Sequence, residues 1–217
     1  MRRILLTVLL LVGLFPLSAA ARTLLVVGDS LSSAYGMEVQ SGWVVLLGMR
    51  LKQENLDYRI VNASISGDTT ANGLVRLPKL LAQHKPTLVI IELGGNDGLR
   101  GLSLEQMKHN ISMMVTKAKR PGASVLLVGV QLPPNYGKTY TERFQAIYRE
   151  IAAEQGVALV PSLLEGIATR NDLMQPDRIH ASARAQPRML ENVWAHLRHL
   201  LESEPRSVPA DRYVGGK

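Results

Sequence analysis

Apolar residues along this chain come in blocks of two kinds. Short, almost unbroken apolar runs fall at 23–27, 58–61, 87–93, 124–130 and 157–160. Between them, at 43–53, 70–82, 104–119 and 141–155, and again at 183–201, apolar residues recur every three or four positions. The first pattern describes strands buried on both faces, and the second describes helices with one buried face. Strands alternating with helices predict a three-layer α/β/α sandwich whose five-stranded parallel sheet is doubly wound in the flavodoxin-like order. Gly28, Gly94-Gly95 and Pro133-Pro134 close strands, while Pro86 and Pro121-Gly122 precede them.

The two ends do not share this pattern. Met1-Arg2-Arg3, the apolar stretch 4–17 and Ala19-Ala20-Ala21 have the layout of a cleaved export signal, which implies a periplasmic or secreted protein. The expected organisation is a signal at 1–21, one domain at 22–201 and a disordered tail at 202–217, where Pro, Ser, Gly and charge prevail. No other segment is apolar enough over a sufficient length to predict a membrane span.

Composition narrows the chemistry. A length of 217 residues with 46% hydrophobic and 20% charged residues suits one enzyme-sized domain. The absence of cysteine excludes disulfides, thiolate catalysis and cysteine-ligated zinc. The net charge of +7 comes from scattered lysines and arginines without aromatic interleaving, the pattern of a solvated surface rather than a nucleic-acid site. His196 and His199 could share a helix face and hold a metal, but no carboxylate ligand is predicted beside them, so a solvated face is favoured and no metal or cofactor is expected. The expected partners are small molecules, and a monomer is the expected state.

The candidate chemistry lies where the predicted strands end. Ser30 follows Leu24-Leu25-Val26-Val27-Gly28-Asp29, at the carboxyl edge of a strand, where open α/β sheets collect ligands. A serine there can act as nucleophile if a base and an oxyanion site are supplied, or it can simply cap a helix. Asp177-Arg178-Ile179-His180 offers a base, with a carboxylate three residues away to fix the imidazole tautomer. Gly67, in the loop after the second strand, and Asn96, after the third, carry donors that together with the Ser30 N–H would converge on one oxyanion. Asp29 and Asp97 neighbour these groups and read as loop-stabilising acceptors.

Gly28-Asp29-Ser30-Leu31-Ser32, Gly67, Gly95-Asn96-Asp97 and Asp177-x-x-His180 match, in order, the four sequence blocks of the SGNH hydrolases, also called the GDSL family. Residues 62–69, 92–101 and 132–137 extend the resemblance to its thioesterase and multifunctional esterase–lysophospholipase branch. The resemblance implies hydrolysis of acyl esters and thioesters. Ser30 would be the nucleophile, His180 the base and Asp177 its partner, with an oxyanion hole of Ser30, Gly67 and Asn96. It also implies an acyl-binding surface that includes Asp97, Gly98, Leu99, Leu132 and Pro133. The chain departs from the family at Ala181, which stands where the family usually has proline, and at Arg178, in place of a small residue. A carbohydrate acetylesterase of the same superfamily and an impaired lipid-binding protein are the rival readings.

Overall fold

A computed structural model describes residues 22–203; the expected signal at 1–21 and residues 204–217 lie outside the described residues. Five strands form one sheet: β1 (Arg22–Gly28), β2 (Tyr58–Asn62), β3 (Leu88–Glu92), β4 (Ser124–Val128) and β5 (Ala158–Val160). All pairings are parallel, in the order β2-β1-β3-β4-β5. This is the doubly wound order expected from the sequence. Residues Leu24 to Val27 of β1 and Leu88 to Ile91 of β3 are fully buried, because helices cover both faces of these central strands.

The helices are α1 (Trp43–Gln53), α2 (Thr70–His84), the short α3 (Gly95–Leu99), α4 (Leu104–Lys119), α5 (Lys138–Gln155) and α6 (Gln186–Ser203). Helices α1 and α6 pack together on one face of the sheet, and α2, α4 and α5 pack side by side on the other. Thr69 and Ser103 start α2 and α4 by accepting backbone N–H groups through their hydroxyls.

Several boundaries differ from the sequence pattern. Strand β4 stops at Val128, short of the apolar residues up to Val130, because the chain turns there: Gly129 N–H donates to Val160 O at 2.8 Å and Leu163 N–H to Gly129 O at 2.9 Å. Helix α5 starts at Lys138, three residues before the periodic stretch, since its first turn is exposed and carries no apolar signal. Helix α6 starts at Gln186, preceded by a 3-10 turn at Ala183–Ala185.

The sheet order reverses at β1, with β2 on one side and β3 on the other. The loops after β1, β2 and β3 therefore meet at the carboxyl edge of the sheet, the crevice position of doubly wound folds.

Candidate active site

The segment after β1 is a tight turn. Asp29 O accepts the N–H groups of Ser32 and Ser33, and Ser30 O accepts that of Tyr35. The Asp29 carboxylate accepts Leu31 N–H at 3.0 Å, closing the turn around Ser30. The next helical residue is Val39, so Ser30 caps no helix.

His180 reaches Ser30 from the turn before α6. Its Nε2 lies 2.9 Å from Ser30 Oγ, and its Nδ1 lies 2.7 Å from Asp177 Oδ2. With Nδ1–H donating to the carboxylate, Nε2 is left as the acceptor of the serine hydroxyl. The other Asp177 oxygen accepts Ile179 N–H at 2.9 Å and His180 N–H at 3.0 Å. Burial pushes Asp177 upward, but the hydrogen bonds from the His180 backbone, its ring and Ile179 outweigh it and hold the carboxyl at about 2. Asp177 is therefore an anion at neutral pH. The Tyr35 ring packs against the imidazole with centroids 4.5 Å apart, restricting the ring from the other side.

The turn that carries this pair is strained. Arg178 adopts φ +57°, a left-handed conformation favoured by glycine. Ala181 is buried and pairs with Met174 as an isolated antiparallel bridge. Gln175 N–H donates to His180 O and Ser182 N–H to Leu173 O, so the pairing does not use the Ala181 N–H.

The remaining donors arrive from two loops. Gly67 sits at φ +84° in the loop after β2, which is tied to the β1 turn by Ile65 N–H on Gly28 O and by the Ser33–Ser66 hydroxyl pair at 2.7 Å. Among the described residues, neither the Ser30 N–H nor the Gly67 N–H has a hydrogen-bond partner within the chain. Asn96 lies in the first turn of α3, entered through Gly94 at φ +121°, where a side chain would strike the Tyr148 hydroxyl. Its amide donates to Asp68 O at 2.9 Å and, less closely, to Asp29 Oδ2 at 3.2 Å. The arrangement can present donors to an oxygen developing negative charge beside Ser30.

Other residues at this edge left little or no trace in the pattern. Arg76, on α2, bonds three segments together: Nε to Asp68 Oδ2 at 2.7 Å, Nη1 to Ala63 O and Nη2 to Gly28 O. Glu92 ends β3 fully buried; one oxygen accepts Ser32 Oγ–H at 2.6 Å, and Oε1 has no partner among the described residues. Burial first, and then the nearby Asp29 charge, push the Glu92 carboxyl well above the ordinary carboxylate range. Asp29 is raised to about 6, first by burial, which the Leu31 N–H bond and the His180 charge only partly offset. An acidic residue closing the apolar run Leu88 to Ile91 was the available signal for Glu92; Arg76 gave none, being one polar residue on a mixed helix.

The Asp97 carboxylate is buried and takes Thr70 N–H at 2.9 Å and Thr70 Oγ–H at 2.6 Å, so it stabilises the loop. Gly98 lies under Leu132 and Phe144 so closely that any side chain there would collide with both. The carbonyls of Gly98 and Leu99 accept the hydroxyls of Tyr140 and Tyr136. Leu132 is buried and Pro133 half-buried beside this loop.

A Ser–His–Asp relay at the carboxyl edge of a doubly wound parallel sheet defines the class, a three-layer α/β serine hydrolase. The comparisons with known proteins narrow it: residues 26–187 match the GDSL-like Lipase/Acylhydrolase family, and the chain belongs to that family. It is 56% identical over 201 residues to Esterase TesA of Pseudomonas aeruginosa, covering 93% of this chain and 100% of the relative. It is 45% identical over 170 residues to Thioesterase 1/protease 1/lysophospholipase L1 of Escherichia coli K12, covering 78% of this chain and 80% of the relative. The crystal structure of TesA superposes with a TM-score of 0.82 at 57% identity, covering 82% of this chain and 99% of that one.

Proposed function

We propose that the chain hydrolyses acyl esters and thioesters through an acyl-enzyme on Ser30. The observation that carries the reading is the relay Ser30 Oγ–His180 Nε2–His180 Nδ1–Asp177 at 2.9 and 2.7 Å, set beside two unpartnered backbone N–H groups. Ser30 Oγ attacks the acyl carbonyl while His180 Nε2 takes its proton. The Asp177 anion holds the imidazole tautomer and stabilises the imidazolium. The oxyanion takes hydrogen bonds from the Ser30 and Gly67 N–H groups. It also takes one from the Asn96 amide, whose 3.2 Å bond to Asp29 is the one given up. His180 then protonates the leaving alcohol or thiol, and on a second cycle it activates water to release the acid.

Leu99 with Leu132 and Pro133 forms the side on which the acyl chain lies, while Asp97 and Gly98, both buried, hold the loop that carries Leu99. Their exposed neighbours Leu102 and Tyr136 extend that apolar surface outward. The names of the relatives, esterase and thioesterase–lysophospholipase, support acyl esters and thioesters as the substrate class. Lysophospholipids are the proposed lipid substrates, and residues 1–21 the proposed export signal that places the domain of 22–201 in the periplasm or outside the cell.

A fluorophosphonate probe followed by peptide mass spectrometry tests the nucleophile. Label is expected on Ser30, and Ser30→Ala should abolish both labelling and hydrolysis. Label on another serine would overturn the assignment. Acyl-chain profiling separates this reading from a carbohydrate acetylesterase, which would turn over acetyl esters alone.

A further inference from the structure

The loops framing Ser30 leave their apolar side chains in water. Of eight large apolar side chains exposed among the described residues, five stand around this site: Tyr35 at 50%, Ile65 at 51%, Leu102 at 44%, Tyr136 at 37% and Ile179 at 37%. They come from the segments after β1, β2, α3 and β4 and from the Asp177–His180 turn, so the fold and not a local run gathers them.

Contacts tie each one to the site's framework. The Tyr35 ring faces His180, and Ile65 N–H donates to Gly28 O at 3.1 Å. Leu102 N–H donates to Asp97 O, the Tyr136 hydroxyl to Leu99 O, and Ile179 N–H to Asp177. Single exposed apolar side chains need no explanation, but five on the loops and turns that frame one site mark an interaction surface.

Two cations stand on the same loops and turns. Arg100 is exposed, with Nη2 donating to Gly67 O at 3.1 Å, and Arg178 is exposed between Asp177 and His180 in sequence. The full sequence carries +7, and without Arg2 and Arg3 of the proposed export signal 7 − 2 = +5 remains. An apolar rim studded with arginines complements a surface that is apolar in depth and anionic at its face.

We propose that this ring docks the protein on an anionic lipid surface, seating the cleft at the headgroup layer so that a lipid acyl ester reaches Ser30 directly. Its purpose rests on the hydrolytic reading above, whereas docking itself needs no turnover. Among the described residues no helix is long and apolar enough to cross a membrane. Each arginine at an anionic surface contributes roughly fivefold in partitioning.

The test uses the Ser30→Ala chain, which cannot consume lipid, co-sedimented with phosphatidylcholine vesicles with and without phosphatidylglycerol. Binding is expected to the anionic vesicles and to weaken with salt. Adding Ile65→Ser and Leu102→Ser should lower it at least tenfold. Arg100→Ala should lower only the anionic component, by roughly fivefold. In the active chain, Ile65→Ser alone should leave turnover of a short soluble ester unchanged and slow turnover of micellar lysophospholipid severalfold.

Failure of Ser30→Ala to bind either vesicle, or binding unaffected by the ring substitutions in variants whose melting is unchanged, would overturn the proposal. So would a concentration-dependent dimer abolished by Ile65→Ser, which would assign the ring to a second copy. If instead Ser30 resisted the fluorophosphonate while vesicle binding persisted, the hydrolytic reading would fall and the docking surface would stand.

Discussion

Replacing Ala181 by proline is expected to raise both stability and turnover. The usual obstacle to proline is a lost hydrogen bond, and here the Ala181 N–H has no partner among the described residues. Ala181 makes an isolated bridge to Met174, and proline there would hold His180, the residue before it, to extended backbone. Ala181 is almost fully buried beside Leu31, Tyr35, Met37 and Met189, so the added ring carbons must be taken up by small shifts of those side chains. Restricting the unfolded chain at a compatible position stabilises by about 0.4–1 kcal/mol. At roughly 2–4 °C per kcal/mol for a chain of this size, Tm should rise by about 1–4 °C. The same restriction removes competing placements of His180, so kcat should gain no more than about fivefold, the rate equivalent of 1 kcal/mol. Calorimetry and steady-state kinetics on a soluble aryl ester measure both. A fall in Tm of several degrees would refute the backbone argument. A raised Tm with unchanged kcat would refute the idea that Ala181 limits His180 placement.

Asn96→Ala should lower kcat by about 10²–10³ with little change in KM, because the donor acts on the oxyanion and not on bound substrate; a change in KM alone would contradict this. Arg178→Gly should stabilise the fold by about 1 kcal/mol: the left-handed conformation costs a non-glycine residue about 1–2 kcal/mol, and glycine's freedom in the unfolded chain returns part of that; a lower Tm would show that Arg178 makes compensating contacts. Asp29, raised by burial from 3.8 to about 6, contributes stability that is fully present below pH 3.8 and is lost as pH rises through 6. Asp29→Asn should therefore gain in Tm relative to the parent between pH 4 and 6, and a constant difference across that window would place the Asp29 titration elsewhere.

The order of strands and helices could be read from the sequence because both faces of the sheet are covered. Burial on both sides makes Leu24 to Val27 and Leu88 to Ile91 continuously apolar, a pattern that polar loops do not imitate. The serine and the glycine and asparagine loops were visible for a related reason, since each comes soon after such a run; the Asp-x-x-His turn was visible through its own spacing. The start of α5 was not visible, since an exposed first turn carries no periodicity. Arg76 and the strain at Arg178 were hidden more deeply. The first depends on three segments meeting at one guanidinium and the second on a backbone angle, and neither leaves a mark on the spacing of apolar residues.

The guanidinium of Arg76 has a consequence for how such a protein can change over generations. Because it holds Gly28, Ala63 and Asp68 at once, and Asp68 in turn holds Asn96, the inner loops shift together or not at all. An insertion or exchange in any one of them disturbs the geometry of the others. Tyr136, Leu102 and Ile65 carry no such shared obligation through their side-chain carbons. Substrate range is therefore free to diversify at the outer edge while the reacting centre stays fixed, and selection for a new acyl group should leave its first substitutions there.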